Sequence, residues 1–413
     1  MNKKIGPLLL SGLMIGPILG SGIILLPPLA YSKLGTASIW SWIIIMVLGA
    51  LFAMIFSKLS VIHPGDGGMT IAIEQALGKK LKLYSSLLMI SAVSFGPTAV
   101  LLTAADYLNK LQMLSMVSKS IIALILVIIS LIILLNDVQF ISTLSFVLSS
   151  IIAITLIISS IIVLSRHTIE IDPIQTVEIL PLGKVVLLLF WAIIGWEIIG
   201  NYSNQVRDIK KTIPQATIIS IIVITLTYIL ISLAIQAFPY SEALSMVQIL
   251  QSVFGRHAKI ILSLFVTGLC LCTYLLIVGA LGQLIYSLSS ENYLPKVFQR
   301  KNKNNIPYIG IMYFITMHII VLTFTHFEIL NIEGILSIAN GFFLANAVIG
   351  LIASLKIIDG LLYRIGGIIL SISLLVILSF SSIEIFIALG VVFLLTLYID
   401  QRRENTILTT NLK

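Results

Sequence analysis

The sequence predicts an all-α integral membrane protein with twelve transmembrane helices, and three observations carry that prediction. Of its 413 residues, 58% are hydrophobic and only 10% charged, against roughly 25% charged in a soluble domain. Apolar runs of about 20 residues, the length a helix needs to cross a bilayer, recur along the whole chain. These runs lack the period-two alternation of a barrel strand.

Read as stretches between charges, the spans fall at about 5–32, 36–57, 83–108, 120–135, 140–165, 185–206, 212–237, 260–290, 309–325, 334–355, 365–380 and 383–399. The first is longer than the roughly 7–15-residue core of a signal peptide and is read as a retained helix. Segment 67–80 reads as a short amphipathic helix and 239–255 as an interfacial one. The tail 401–413 is polar and too short for a soluble domain.

Charge tests the span count. With twelve spans both termini lie on one side, and eighteen of the 25 Lys and Arg residues then fall on that side and seven on the other. The positive-inside rule makes the richer side, and both termini, cytoplasmic. A multi-pass protein of the plasma (inner) membrane is expected. The net charge of +8 is accounted for by short loops, with no need of a nucleic-acid partner. Cys270 and Cys272, the only cysteines, stand two apart in one span and point to different helix faces, so neither a disulfide nor a metal site is expected.

Two spans carry residues that an ordinary membrane helix has no use for. Span 1 contains Gly20-Ser21-Gly22, although glycine is about 1 kcal/mol worse than alanine in a helix interior. A mid-membrane break is tolerated only where protein or a water-lined cavity satisfies the freed backbone groups. Gly12, Gly16 and Gly20, spaced by four, form a small-residue packing face, and Gly22 is off that register. Span 6 contains Trp191-Ala192-Ile193-Ile194-Gly195-Trp196-Glu197. Glu197 is the one clearly mid-span carboxylate, where a charge costs about 2.5–3.5 kcal/mol. It reads as a proton-coupling or gate residue, or as a neutral acid hydrogen-bonded between helices. The two anomalies are five spans apart. Interrupted segments at corresponding places of two halves point to the binding site of an inverted-repeat transporter.

Here the residues carry a resemblance. Ile18-Leu19-Gly20-Ser21-Gly22-Ile23-Ile24-Leu25-Leu26-Pro27 resembles the first-helix signature of the amino acid–polyamine–organocation superfamily, and Trp191-x-x-x-Gly195-x-Glu197 its sixth-helix signature. Pro64-Gly65-Asp66-Gly67-Gly68 is similar to the motif after its second helix. Asn292-Tyr293-Leu294-Pro295, with a basic loop and Pro307, is similar to its helix 8–9 connection. The branch resembled is that of short bacterial exporters and permeases of neutral amino acids. The likeness covers roughly residues 6–355.

The resemblance implies a leucine-transporter-like 5+5 inverted repeat, 1–165 and 184–356, with helices 1 and 6 broken and two further helices in 361–400. It implies a secondary active transporter without cofactor or enzymatic activity, a monomer or homodimer in the bilayer. Gly20, Ser21, Gly22, Ile23, Trp191, Ile194 and Gly195 are the expected substrate-binding residues. A half-helix starting at Gly22 aims its N–H groups and positive dipole end at a carboxylate, and one ending near Ile194 offers carbonyls to an ammonium. Trp191 reads as an aromatic lid or as packing, and Trp196 as packing. Phe95, Thr273, Tyr274 and Asn340 are candidate cavity-lining residues, although Asn340 reads first as a hydrogen bond to a neighbouring helix. Asp106 and Tyr107 stand near the outer end of span 3. His318 reads as structural or lipid-boundary. Many family members carry Ser-Glu-x-x-Asn-Pro after helix 6, and no glutamate stands in the corresponding 204–209. Some proton-coupled members carry a lysine in helix 5 where sodium would otherwise bind; this chain has Ser149 and Ser150 there, which neither prove nor exclude a sodium site. Glu197 is the candidate proton carrier, and on that ground a proton is favoured over sodium as coupling ion.

No Arg or Lys lies mid-span to receive an acidic amino acid, and only Glu197 could receive a basic one. Neutral, apolar amino acids are the expected substrates, with amines and other organocations as the alternative. An embedded enzyme would need clustered mid-span His, Asp or Glu. A channel would need a selectivity loop or rings of charge. Neither pattern is present.

Overall fold

A computed structural model describes residues 6–64, 68–111, 116–136, 139–169, 171–173, 177–196, 206, 208–238 and 245–411. The described chain is helical, with no β-strand among these residues. Its helices are α1 (Pro7–Leu19), α2 (Gly22–Leu34), α3 (Ser38–Ile62), α4 (Gly68–Leu77), α5 (Lys79–Val93), α6 (Gly96–Asn109), α7 (Lys119–Leu134), α8 (Gln139–Leu164), α9 (Ile179–Leu189), α10 (Ile209–Ile235), α11 (Ser245–Phe254), α12 (Ala258–Ser290), α13 (Tyr308–His326), α14 (Ile332–Ile357), α15 (Leu361–Ser379) and α16 (Ile383–Asn411). Among the described residues, nine helical stretches are long and apolar enough to cross a membrane, and Pro7–Gly16, Lys119–Leu134 and Ile179–Ile193 are shorter apolar helices.

The outward faces are as apolar as the interior. Ile121, Ile125, Ile128 and Ile132 form an exposed stripe at helical spacing on α7, and Ile151, Ile154, Ile158 and Ile161 do the same on α8. In water such surfaces would aggregate, whereas in lipid they cost nothing.

Helix α14 packs against α4, α5, α6 and α15. At 1.5 Å per residue its 26 residues span about 39 Å. At its start Glu333 pairs with Lys33, near the end of α2, at 2.8 Å. At its far end Lys356 bonds the Ala76 carbonyl of α4 at 3.4 Å. A Cβ on Gly350 would lie 2.4 Å from the Met69 sulfur, so α4 is wedged against α14. The amphipathic segment expected at 67–80 is thus packed on protein, with Met69, Ala72 and Ile73 buried. The segment expected at 239–255 holds α11, against α8 and α12.

The small-residue face of span 1 is in part a packing device. A Cβ on Gly12 would meet the Phe146 ring of α8 at 1.8 Å. On α8, Ser149 and Ser150 each donate to the Phe146 carbonyl, at 3.1 and 2.8 Å. Their hydroxyls are therefore used within their own helix.

Candidate functional site

Three helix breaks meet at the middle of the bundle. The first separates α1 from α2. Gly20 takes φ 34°, a region that favours glycine, while its N–H still caps α1 by donating to the Gly16 carbonyl at 2.9 Å. Helix α2 restarts at Gly22, with Ile24 and Leu25 donating to the Ser21 carbonyl. The Gly22 and Ile23 N–H groups find no acceptor among the described residues, as is general for a helix start. Pro27 and Pro28 remove two more ladder donors from α2.

The second break follows α9. The chain tightens into a 3₁₀ turn over Phe190–Ile193, Ile194 is extended (ψ 137°), and Gly195 takes φ 115°. The third lies between α5 and α6, at Ser94-Phe95. Pro97 in the first turn of α6 has no N–H to give the Val93 carbonyl.

Trp191 joins the first two breaks. Its Nε1 donates to Ser21 Oγ at 3.4 Å. The indole is held between glycines, since a Cβ on Gly96 would reach its ring at 2.7 Å and one on Gly22 would reach it at 3.5 Å. Phe343 of α14 meets it edge-on at 6.1 Å between centroids. Beneath these rings lies a cavity of about 30 Å³, room for about two waters at ~10–15 Å³ each. Ser21, Trp191 and Ile194 come to it from the two breaks, and Val93 and Pro97 from the third. Thr273, Ile277 and Phe343 complete it. The lining is uncharged. Thr273 Oγ1 is buried without a hydrogen-bond partner among the described residues, an unusual state for a native hydroxyl. Ile194 and Phe343 also wall a second, smaller cavity of about 10 Å³ on the α4 side, which Phe52, Met69 and Asn346 share.

Of the expected residues, Ser21, Trp191, Ile194 and Thr273 line one cavity and Gly22 lies against Trp191, while Gly20, Ile23 and Gly195 are their chain neighbours at the two breaks. The structure sets others apart. Tyr274, next to Thr273, faces away from the cavity, with its hydroxyl 2.7 Å from His318 Nδ1. Asn340 is fully buried, and its amide donates to the Leu187 and Leu188 carbonyls at 2.8 and 3.2 Å. It serves the frayed end of α9 rather than the cavity. Phe95 is half-buried at the cap of α6, next to the wall that Pro97 forms. Asp106 is paired with Lys110 at 2.6 Å and with Lys119, and the Tyr107 carbonyl receives the Ser263 hydroxyl. His318 is fully buried, which removes the lipid-boundary reading. Trp196 is buried at 2% exposure, in keeping with a packing role. Glu197, the segment 65–67 of the helix 2 motif and residues 201–205 after span 6 lie outside the described residues.

Tyr228 of α10 is a further residue beside the site that the sequence did not single out, as are the lining residues Val93, Ile277 and Phe343. Tyr228 stacks on Trp42 at 4.7 Å, and its hydroxyl lies 3.5 Å from the Ile18 carbonyl. A Cβ on Gly22 would come within 2.8 Å of that hydroxyl. That Tyr228 is the only aromatic residue of span 7 was the available signal.

The amino acid permease family model matches residues 5–409. The uncharacterized amino acid permease YecA of Bacillus subtilis is 23% identical over 282 residues, 66% of either chain and so just under two thirds of that relative's length. The L-methionine/branched-chain amino acid exporter YjeH of Escherichia coli is 23% identical over 402 residues, covering 89% of this chain and 90% of the exporter. The cadaverine/lysine antiporter of E. coli K12 is 23% identical over 325 residues, covering 75% and 72%.

Proposed function

Because the chain belongs to the amino acid permease family, a family of membrane transporters and not of enzymes, we propose that it is a secondary active transporter of neutral, apolar amino acids working by alternating access. One observation carries the reading: the two broken segments, five spans apart in sequence, meet through the Trp191–Ser21 bond over an uncharged cavity. The start of α2 presents N–H groups and a positive dipole end, which suit a carboxylate. The end of the α9 segment suits the ammonium of the same zwitterion. Val93, Pro97, Ile277 and Phe343 leave an apolar seat for the side chain, and Thr273 Oγ1 is free to bond the ligand.

In this reading the fold is a leucine-transporter-like pair of inverted five-helix repeats, 1–165 and 184–356, followed by two helices in 361–400. The basic-rich side and both termini face the cytoplasm of the plasma membrane. The outer end is then closed by the Lys33–Glu333 pair. The inner end is closed by Lys82, which pairs with Glu74 at 2.8 Å and Glu291 at 3.0 Å. A cavity with space for about two waters and closures at both ends fits an occluded intermediate, which must expand to take an amino acid. Glu197, beside Gly195, is the proposed proton carrier.

The relative named for L-methionine and branched-chain amino acids favours the apolar reading, and the one named for cadaverine and lysine keeps amines as the second. A thermal-shift screen of the purified protein against the twenty amino acids and simple amines separates them. Stabilisation by methionine, leucine, isoleucine or valine, followed by their movement in proteoliposomes, is the expected result. Stabilisation by diamines alone would overturn it in favour of the amine class.

A further inference from the structure

A histidine that the sequence read as structural or lipid-boundary sits behind the cavity wall, and the reason lies in Pro97. In a continuous helix the residue at 97 would donate its N–H to the carbonyl at 93. Proline has none, so the Val93 carbonyl is orphaned at a fully buried position. His318 Nε2 stands 2.8 Å from that oxygen. A carbonyl only accepts, so Nε2 carries the proton. Nδ1 is then the acceptor, and the Tyr274 hydroxyl meets it at 2.7 Å. This assigns one tautomer, neutral and with both ring nitrogens satisfied. Phe314 stacks on the ring at 6.3 Å, and Tyr274 meets it edge-on at 5.3 Å.

The partners of His318 adjoin the cavity on two walls. Val93 and Pro97 line it from the α5–α6 break, and Thr273, the residue before Tyr274, lines it from α12. We infer that His318 is a positioning residue which supplies the hydrogen bond that Pro97 withholds, and so fixes where the Val93–Pro97 wall stands against Thr273 in the seat for the substrate side chain. It acts through these residues and touches no ligand itself. The inference rests on the cavity being the substrate site.

The test is a rescue series in the full-length protein: His318→Leu, His318→Gln, and His318→Leu combined with Pro97→Ala. Leucine leaves the Val93 carbonyl buried and unsatisfied, and is expected to raise KM for bulky apolar amino acids about tenfold while Vmax changes by less than about twofold. Glutamine keeps a donor at the Nε2 position and is expected to stay within about threefold of wild type. Pro97→Ala returns the backbone N–H, so the double variant is expected to recover most of the KM and thermal stability lost by His318→Leu. Wild-type KM in His318→Leu, a double variant no better than His318→Leu, or a glutamine variant as poor as leucine would each overturn the inference. Nitrogen-15 NMR of the imidazoles, with the His318 signal assigned by its loss in His318→Gln, gives a readout independent of transport. The neutral Nε2–H form is expected, and an Nδ1–H or doubly protonated ring would overturn the assignment. If the wild type moves no amino acid, the proposed function fails, while the tautomer and the recovery of melting temperature by Pro97→Ala still decide the role of His318.

Discussion

At the scale of single residues, the site depends on what is missing as much as on what is present. Gly22 has no side chain, and the Tyr228 hydroxyl occupies the space where one would begin. Gly22→Ala is therefore expected to destabilise the protein by about 1–3 kcal/mol through overpacking and to lower transport. Tyr228→Phe, which removes only the oxygen, should return part of that loss in the double variant, as melting temperature and initial uptake rate would reveal. Additive losses would mean that Gly22 matters for its backbone alone. Thr273 offers the opposite test. Its hydroxyl has no partner to lose among the described residues, so Thr273→Val is expected to leave stability within about 0.5 kcal/mol and yet raise KM severalfold. A full set of wild-type kinetic constants would remove Thr273 from the site. Ser21, Trp191 and the glycines were legible in the sequence because they break the pattern of their spans. The partners of Tyr228 and His318 were not, because they lie on other helices far along the chain. Tyr228 finds Ile18 at a separation of 210 residues in the chain, and His318 finds Val93 at a separation of 225.

At the scale of elements, the breaks are conformational before they are chemical. Gly20 and Gly195 sit at φ 34° and 115°, where an L side chain is strained by about 1–3 kcal/mol. Gly20→Ala and Gly195→Ala are each expected to lower the melting temperature and sharply reduce transport. Gly390 is the control: it lies on α16 with no described atom within 4 Å of an added Cβ, and Gly390→Ala should be neutral or slightly stabilising. Similar losses at all three positions would argue against strain at the breaks. The third break, between α5 and α6, was visible in the sequence only as Phe95-Gly96-Pro97. Its importance comes from the Trp191 ring against Gly96 and the His318 imidazole against the Val93 carbonyl. Asn340 illustrates the same limit. An amide on an apolar span reads first as a helix-binding group and second as a ligand-binding one, and only the carbonyls of Leu187 and Leu188 name its partner here.

At the scale of the whole molecule, charge pairs stand towards opposite ends of the bundle, and the proposed transport reading gives them the role of closing the path to the cavity. Lys33 and Glu333 are each about a third exposed or more, so their pair adds at most about 1 kcal/mol to stability. Its expected importance is kinetic. Lys33→Glu should slow or accelerate exchange with little change in melting temperature, and the swap Lys33→Glu with Glu333→Lys should restore the wild-type rate. A swap that behaves like the single variant would mean that the pair is incidental. At the other end Lys82 is only 15% exposed, between two carboxylates. Arg403 of α16 lies over the Tyr293 ring at 4.1 Å and donates to the Glu291 carbonyl at 3.0 Å. The Asn292-Tyr293-Leu294-Pro295 motif is thereby tied to the last helix, a contact between segments that hydropathy could place only in order along the chain.

The sequence by itself determined the membrane-embedded helical class, the approximate places of most apolar helices and the interruptions at Gly20-Ser21-Gly22 and Gly195, because these follow from local composition, helix propensity and the insolubility of backbone polar groups in lipid. Only the tertiary structure decided which side chains share the cavity, that Thr273 faces it while Tyr274 turns away, and that Asn340 and His318 serve backbone carbonyls on other helices. These are choices of rotation and partner. Every apolar face can pack equally well on protein or lipid, so hydropathy leaves them open, and only buried hydrogen-bonding groups, which must find one particular partner, fix them.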